Sequence, residues 1–576
     1  MITKKTGSVA VKKKIHPTPT WSNLIDRGEV IPYYKGRPNI ALLNANNFNY
    51  GIANLGAQTI AQYLLYHEMN VYFAFSDTMN KRPFLNDKSN IAPRDCDVVA
   101  ISVPFEDTYL NALRLLEQSN FPIFSKDRDH TYPLVVAGGL SMINPIPFSD
   151  FFDICVIGEG REALREIAQR CWQLKERNVS KQDILYRMAD IPGVYIPSHY
   201  KIGLNDNGYV DEFVTCNGVE NVEANLPLDM KEFPIYSVWT SKYASYEQQD
   251  YFSIMSALGC HKKCPFCVVG HVQVDRSGRA ITMDEEDILQ LALERRNKYG
   301  TNLIKIFFSS AFSPGEGDIN SSALKSLLLL MNTHGFSCRV GSLNVKQADE
   351  ELFELLKAVG QDEVTFAPET TEDMRLRIGK MYISDEKLHQ LAGYAKKHNF
   401  SMNIYSLGSL PGEHSDVTLT YTKLLRSLNQ KLGPNNQMFV HYNPAFMKAQ
   451  TPHQYFGNTR PTEIRQKYAL LRSELEDTDI EFVSVIPDPM TYYQCVLALG
   501  DFNSGKVLSK LYKKHNVTEA DWINAFRSLG FDDNRYFMAK DPNLTLPWEH
   551  VSYTSHQKLK HRAKVSMRSI DIPILN

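Results

Sequence analysis

Residues 251–267 read YFSIMSALGCHKKCPFC: an apolar run, 251–258, that gives way through Gly259 to Cys260, Cys264 and Cys267. The run has the length and composition of a buried strand, and glycine is a residue that ends one. Three of the chain's nine cysteines thus fall within eight residues, where random placement would give a C-x3-C-x2-C about 0.002 times in such a chain. The spacing therefore calls for a chemical reason. Three thiolates on one short loop can wrap a cubane [4Fe–4S] cluster and leave its fourth iron without a protein ligand. S-adenosylmethionine can chelate that iron through its amino and carboxylate groups, which sets the sulfonium beside the cluster for reductive cleavage to a 5′-deoxyadenosyl radical. Zinc is the competing reading, since Cys264-Pro265-Phe266-Cys267 alone has the form of half a zinc ribbon. A closed zinc site wants a second ligand pair, and only His271 lies near downstream.

Beyond the cysteines the alternation continues. Candidate strands follow at 303–308, 337–343, 363–368, 401–408 and 437–444, with candidate helices at 284–299, 319–334, 348–359, 385–398, 415–430 and 462–476. Thr282-x-x-Glu285 reads as a capping box before the first of these helices. Six strand-helix units fit a partial parallel barrel over 251–476, whose active site should lie at the carboxyl ends of its strands. Residues 477–576 read mainly as helices, one of them opened by Thr518-x-x-Asp521.

Upstream, NIALLN (39–44), NVYFAF (70–75), DVVAISV (97–103), PLVVAG (133–138) and DICVIG (153–158) read as buried strands separated by helical spacing. This pattern predicts a doubly wound parallel sheet over 39–172, with ligands bound beyond the strand carboxyl ends. The turns there hold Asn54, Gly56, Ser102, Val103, Gly138, Gly139, Gly158 and Glu159. Residues 173–250 form a β-containing connector with a hairpin signal at Asn207-Gly208, and 1–38 form a lysine-rich, solvated arm.

The 576 residues are 43% apolar and 22% charged, which excludes disordered, collagenous and coiled-coil classes. A net charge of -2 gives no global field for nucleic acid or anionic membrane, so a polyanion partner would need a local patch. No run of about eighteen apolar residues occurs, nor an apolar stretch of signal-peptide type near Met1, so the expected compartment is the cytoplasm.

The C-x3-C-x2-C loop after a first barrel strand resembles the radical S-adenosylmethionine superfamily. With the preceding doubly wound domain, the chain is similar to its cobalamin-binding-domain class. Residues 135–160, 191–197, VTFAPETTEDMRLRIGK (364–380), IYSLGSLPGE (404–413), 443–454 and 546–551 resemble segments of one poorly characterised bacterial branch, so the likeness runs over about 39–552. It implies a cobalamin-binding-like Rossmann domain, a partial (β/α)6 radical SAM barrel and a helical C-terminal region.

By this resemblance Cys260, Cys264 and Cys267 are the cluster ligands, and Phe266 lies near the adenine. Ser309, Ser310 and Glu369 suit contacts to the ribose or methionyl moiety, and Met402 to Gly408 is the adenine-contacting strand. Cobalamin is the implied second cofactor. A DxHxxG motif is absent from the equivalent stretch, Asn44 to Gly51, which has no histidine, so histidine ligation of cobalt is not expected. His261, His271, His414, His441 and His453 fall near predicted loops or strand ends, and nothing in the sequence chooses a proton donor among them.

The expected function is reductive cleavage of S-adenosylmethionine with cobalamin-dependent methyl transfer to an unactivated centre, fed by an electron donor such as flavodoxin or ferredoxin. Radical rearrangement, ring formation or sulfur insertion is the alternative within the class. Sulfur-inserting relatives usually carry a second cysteine trio, and here the N-terminal domain has only the separated Cys96, Cys155 and Cys171. A zinc-stapled nucleic-acid-binding module is the alternative outside it, and the near-zero net charge opposes that.

Overall fold

The computed structural model describes residues 24–77, 91–174, 179–245, 251–308, 312, 322–380, 383–484 and 489–570. The five upstream apolar runs form β1 (Asn39–Asn44), β2 (Asn70–Phe75), β3 (Val98–Ser102), β4 (Leu134–Gly138) and β5 (Ile154–Val156). They pair in parallel in the order β2-β1-β3-β4-β5, and β6 (Val194–Tyr195) adds antiparallel to β5. Alternate residues enter two different cores. Ala41, Leu43, Val99 and Val135 pack with Leu113 and Leu116, while Ile40, Leu42, Val98 and Val136 pack with Leu64 and Ile167. Burial on both faces is why the strands read as unbroken apolar runs. The order reverses between β1 and β3, which places the ligand crevice at their carboxyl ends.

Val507, Leu508, Trp522 and Phe526, from helices Phe502–Leu511 and Glu519–Ser528, belong to the first of those cores. The C-terminal region therefore returns to cover the N-terminal sheet. The connector contains a hairpin of β7 (Tyr200–Leu204) and β8 (Val210–Thr215) around Asn207-Gly208, with Gly208 at φ 84°. Residues 1–23 of the arm lie outside the described residues. From Leu24 onward it is anchored: Arg27–Gly28 pairs with Trp239–Thr240, and Glu29 accepts from Arg295 and Tyr299.

In the second half, β9 (Phe252–Met255), β10 (Leu303–Phe307) and β11 (Ser337–Val340) form one parallel sheet. A second is built from β12 (Glu363–Glu369), β13 (Ser401–Gly408), β14 (Met438–Pro444) and β15 (Glu481–Ser484). A parallel bridge between Ser342 and Thr365 joins the two. All six expected barrel strands are present, and β15 is a seventh at the edge, within the stretch expected to be mainly helical. Val364, Phe366, Met402, Ile404, Met438 and Val440 share a core with Leu391 and Leu425 of the outer helices. By strand alternation, Thr365, Asn403, Tyr405 and His441 face the barrel interior.

One capping expectation is corrected. The N-cap position of helix Glu285–Tyr299 is Asp284, whose carboxylate makes no capping hydrogen bond and is paired with Lys231, while Thr282 lies in the ribbon that Ile281–Thr282 forms with Ala257–Leu258. The Thr518 and Asp521 capping box forms as read. Among the described residues no helix is long and apolar enough to cross a membrane.

Candidate active site

The cysteine loop leaves the Ala257–Leu258 ribbon through Gly259, at φ 76°, where a Cβ would stand 2.2 Å from the Gln273 carbonyl oxygen. Only glycine makes that turn. Cys260, Cys264 and Cys267 follow, all half-buried. Burial, reinforced by Cys264, pushes the Cys267 thiol up to about 11, while the Val269 and Gly270 amides act in the opposite sense on its sulfur. A bound cation would draw such a thiol into its thiolate form. Around the loop, the Arg562 guanidinium donates to the Lys263 carbonyl at 2.6 Å, and a ring nitrogen of His271 lies 3.2 Å from the Cys264 carbonyl oxygen. The loop is thus held from both sides and presents three thiols within eight residues, a donor set that fits an iron–sulfur cluster. Among the described residues, the set of three donors lying within 4.8 Å of one another is Glu350, Glu354 and His398, not the cysteines.

Strained backbone gathers at the barrel mouth. Of eight non-glycine residues with positive φ among the described residues, Glu68, Asn120 and Asn399 follow helix ends, where left-handed residues are common. Lys263 lies in the cysteine loop, Phe308 after β10, Glu369 at the end of β12, Ser409 after β13 and Gln450 beyond β14. Such strain concentrates at functional sites. Glu369 accepts from the Lys380 ammonium at 2.8 Å, and that ammonium also donates to the Ala367 carbonyl and stands 5.9 Å from the centre of the Phe266 ring. Phe266 and Glu369, singled out separately in the sequence, are therefore brought together through Lys380. Met402 is not at the mouth: its side chain is fully buried in the core beneath the outer helices, so only its main chain belongs to the lumen side. Gly408 lies against the Tyr442 hydroxyl, with no room for a Cβ. Ser309 and Ser310 lie outside the described residues.

A cavity of about 490 Å³ lies between the sheet and the barrel. Asn54, Gly56, Ser102, Gly138, Gly139, Gly158 and Glu159 line it from the sheet; Met255, Leu258 and Phe307 line it from the barrel. Val103, the remaining turn residue, is buried beside it and ties the turns together, its amide donating to the Gly138 carbonyl at 2.8 Å. Several of these residues have structural work as well. Asn54 caps the helix Leu55–Tyr66, and Glu159 is paired with Arg161. A Cβ on Gly138 would meet nothing within 4 Å, and the buried Thr59 hydroxyl, also in the wall, has no hydrogen-bond partner among the described residues. Open space above a glycine and an orphaned hydroxyl both fit a ligand. Among the described lining residues there is no histidine or cysteine.

The histidines separate by environment. Burial, then Arg562, pushes His271 down to about 4 and His453 to about 3, so both are neutral at pH 7. His414 occupies the cap of helix Ser415–Leu432, and His441 lies on β14 with a ring nitrogen 3.2 Å from Asn403 Oδ1. Lys380 and Thr59 escaped sequence reading. Lys380 closes the quoted segment 364–380, but no spacing rule pairs it with Glu369.

Residues 254–416 match the model of the radical SAM superfamily, and residues 69–197 match that of the N-terminal region of radical SAM proteins. The chain belongs to the radical SAM superfamily. A solved structure of TsrM from Kitasatospora setae, a radical S-adenosylmethionine methyltransferase with cobalamin and a [4Fe–4S] cluster bound, matches with a TM-score of 0.51 at 12% identity, over 92% of this chain and 100% of that one. OxsB, a cobalamin-dependent S-adenosylmethionine radical enzyme, in its form with aqua-cobalamin bound, gives 0.47 at 12% identity, over 86% of this chain and 71% of its own. The likeness to TsrM is one of fold. No curated protein matches the sequence at a significant level.

Proposed function

We propose that the chain holds a [4Fe–4S] cluster on Cys260, Cys264 and Cys267, binds S-adenosylmethionine at the barrel mouth and cobalamin in the sheet crevice, and methylates an unactivated carbon or phosphorus centre. The observation that carries this reading is the shared cavity: the turns of a doubly wound sheet and the first two barrel strands line one space beside the cysteine loop. Two cofactors that must exchange a methyl group need adjacent sites.

In this reading Glu369 and the main chain of Met402 to Gly408 orient S-adenosylmethionine, Phe266 packs on its adenine, and Ser309 and Ser310 contribute polar contacts. Gly138, Gly139, Gly158 and Ser102 let the corrin approach the strand ends, and the Thr59 hydroxyl is available to its amide fringe. The cluster supplies electron transfer and cobalamin supplies the methyl group; the protein supplies position and exclusion of water. A reduced flavodoxin or ferredoxin delivers the electron.

The sulfur-insertion alternative loses support from its own cysteines. Cys96 and Cys155 are in the core on one face of the sheet and Cys171 is in the core on the other, so they form no trio. The deciding experiment is anaerobic purification with iron, sulfide and corrinoid analysis, followed by incubation with methyl-labelled S-adenosylmethionine. About four irons per chain, lost in the Cys260/Cys264/Cys267 triple alanine variant, together with a corrinoid retained through gel filtration, support the reading. Stoichiometric zinc in place of iron would sink it.

A further inference from the structure

The helix His556–Ser569 reads HQKLKHRAKVSMRS, with five Lys or Arg and no Asp or Glu, in a chain whose net charge is -2. It borders an open cleft of about 1530 Å³ on the outer side of the cysteine loop. Lys262 and Lys263 of the loop, Arg276 just beyond it, and Lys558 and Arg562 of the helix all line this cleft. The acids there are mostly engaged. Asp275 accepts from Ser277 and Arg279, and Asp190 is paired with Arg170, leaving Glu223 against five cations.

The position of the cleft is as informative as its charge. His271 and Val274 line the cleft, whereas the intervening Val272 and Gln273 line the cavity between sheet and barrel. Asn225 and Tyr553 border both spaces. Leu258 before the cysteine loop and Gln273 after it thus line the cavity, while His261, Lys262 and Lys263 of the loop itself line the basic cleft. A carrier seated in that cleft would stand against the loop itself, on His261, Lys262 and Lys263.

We infer that this cleft docks an acidic one-electron carrier protein; the inference rests on the cluster assignment proposed above. One electron leaves the reduced carrier, which is oxidised by one equivalent, and reduces the cluster by one equivalent; no atom or proton is transferred. Opposite charge steers the encounter and orients the carrier, so the rate should respond to ionic strength and to rim charges.

The test uses the full chain carrying its cluster, with reduced flavodoxin or dithionite as electron source, in anaerobic stopped-flow. Arg276→Glu/Lys558→Glu reverses two exposed charges outside the cysteine loop. The carrier-dependent rate should fall at least about tenfold in this variant and lose most of its salt dependence, while the dithionite rate and iron content stay unchanged. A carrier-dependent rate that ignores the reversals in an iron-replete chain would overturn the docking face alone. So would reversal-sensitive binding of a structured RNA with carrier reduction intact, which would give the face to nucleic acid. A chain that binds no iron would sink the cluster assignment, and this inference with it.

Discussion

Lys380 and Glu369 form an ion pair at 2.8 Å in which neither side chain is more than 13% exposed. They lie eleven positions apart in sequence, with a short helix, Glu372–Arg377, between them. The pair fixes a strained residue, Glu369 at φ 66°, at the end of a barrel strand while holding a cation against the Phe266 ring. Removing one partner leaves the other as an uncompensated charge in a poorly solvated place. Lys380→Met should therefore destabilise the chain by about 3 kcal/mol, and adding Glu369→Gln should recover most of that. S-adenosylmethionine binding, measured anaerobically by calorimetry, should weaken at least about tenfold in both variants. Recovery of binding along with stability in the double variant would make the pair structural only.

Gly138 and Gly139 make a matched pair for testing the crevice. A side chain on Gly138 enters open cavity, whereas Gly139 sits at φ 117° with its would-be Cβ 2.6 Å from the Val103 carbonyl oxygen. Gly138→Leu should leave thermal stability nearly unchanged and abolish corrinoid retention in gel filtration. Gly139→Ala should cost about 1–3 kcal/mol of stability whether or not corrinoid is present. Equal corrinoid retention in wild type and Gly138→Leu would remove the cofactor from this cavity.

Much of the framework was legible because it rests on local pattern. Runs such as NIALLN and LIKIFF declare themselves through continuous or alternating burial, and the spacing of Cys260, Cys264 and Cys267 requires no knowledge of the fold. What stayed hidden depends on long-range pairing. β15, EFVS, is an edge strand with Glu481 and Val483 exposed, so its apolar signal is too weak to separate it from the surrounding helices. Thr282 had the right spacing for a cap but pairs with Ala257, twenty-odd residues upstream, in the antiparallel ribbon. The basic cleft joins residues 262–276 to 558–562, and no window along the sequence contains both.

His550 offers a pH readout remote from the cysteines. Its ring is packed among Tyr195, Tyr200 and Phe213, and burial pushes its pKa down from 6.5 to about 4. Between pH 6.5 and about 4 the unfolded chain takes up a proton that the folded chain refuses, so stability rises with pH across that window and is lost on acidification. The contribution from pH 7 to pH 5 should be about 1–2 kcal/mol. His550→Phe, followed by denaturant melts at both pH values, should reduce the acid loss by that amount. An unchanged acid limb would show that the ring already protonates near its ordinary value in the fold.

Arg562 holds the cysteine loop from outside. Its guanidinium donates to the carbonyl of Lys263, which is itself at φ 48°, and a Cβ on Gly270 would stand only 2.9 Å from the Lys263 Cα. The loop is therefore folded tightly on itself, with one charged hydrogen bond fastening its strained residue to the C-terminal helix. Arg562→Gln should cost little global stability, about 1–2 kcal/mol, because the helix keeps its buried Leu559, Ala563 and Met567. The local effect should be larger. Iron release to a chelator should accelerate about tenfold, since opening of the loop no longer has to break a charge-assisted bond. Arg562→Lys, which keeps the charge but not the planar fork, should fall between the two. If release is unchanged in Arg562→Gln while the melt shifts as expected, the guanidinium serves the helix packing and the loop holds its shape without it.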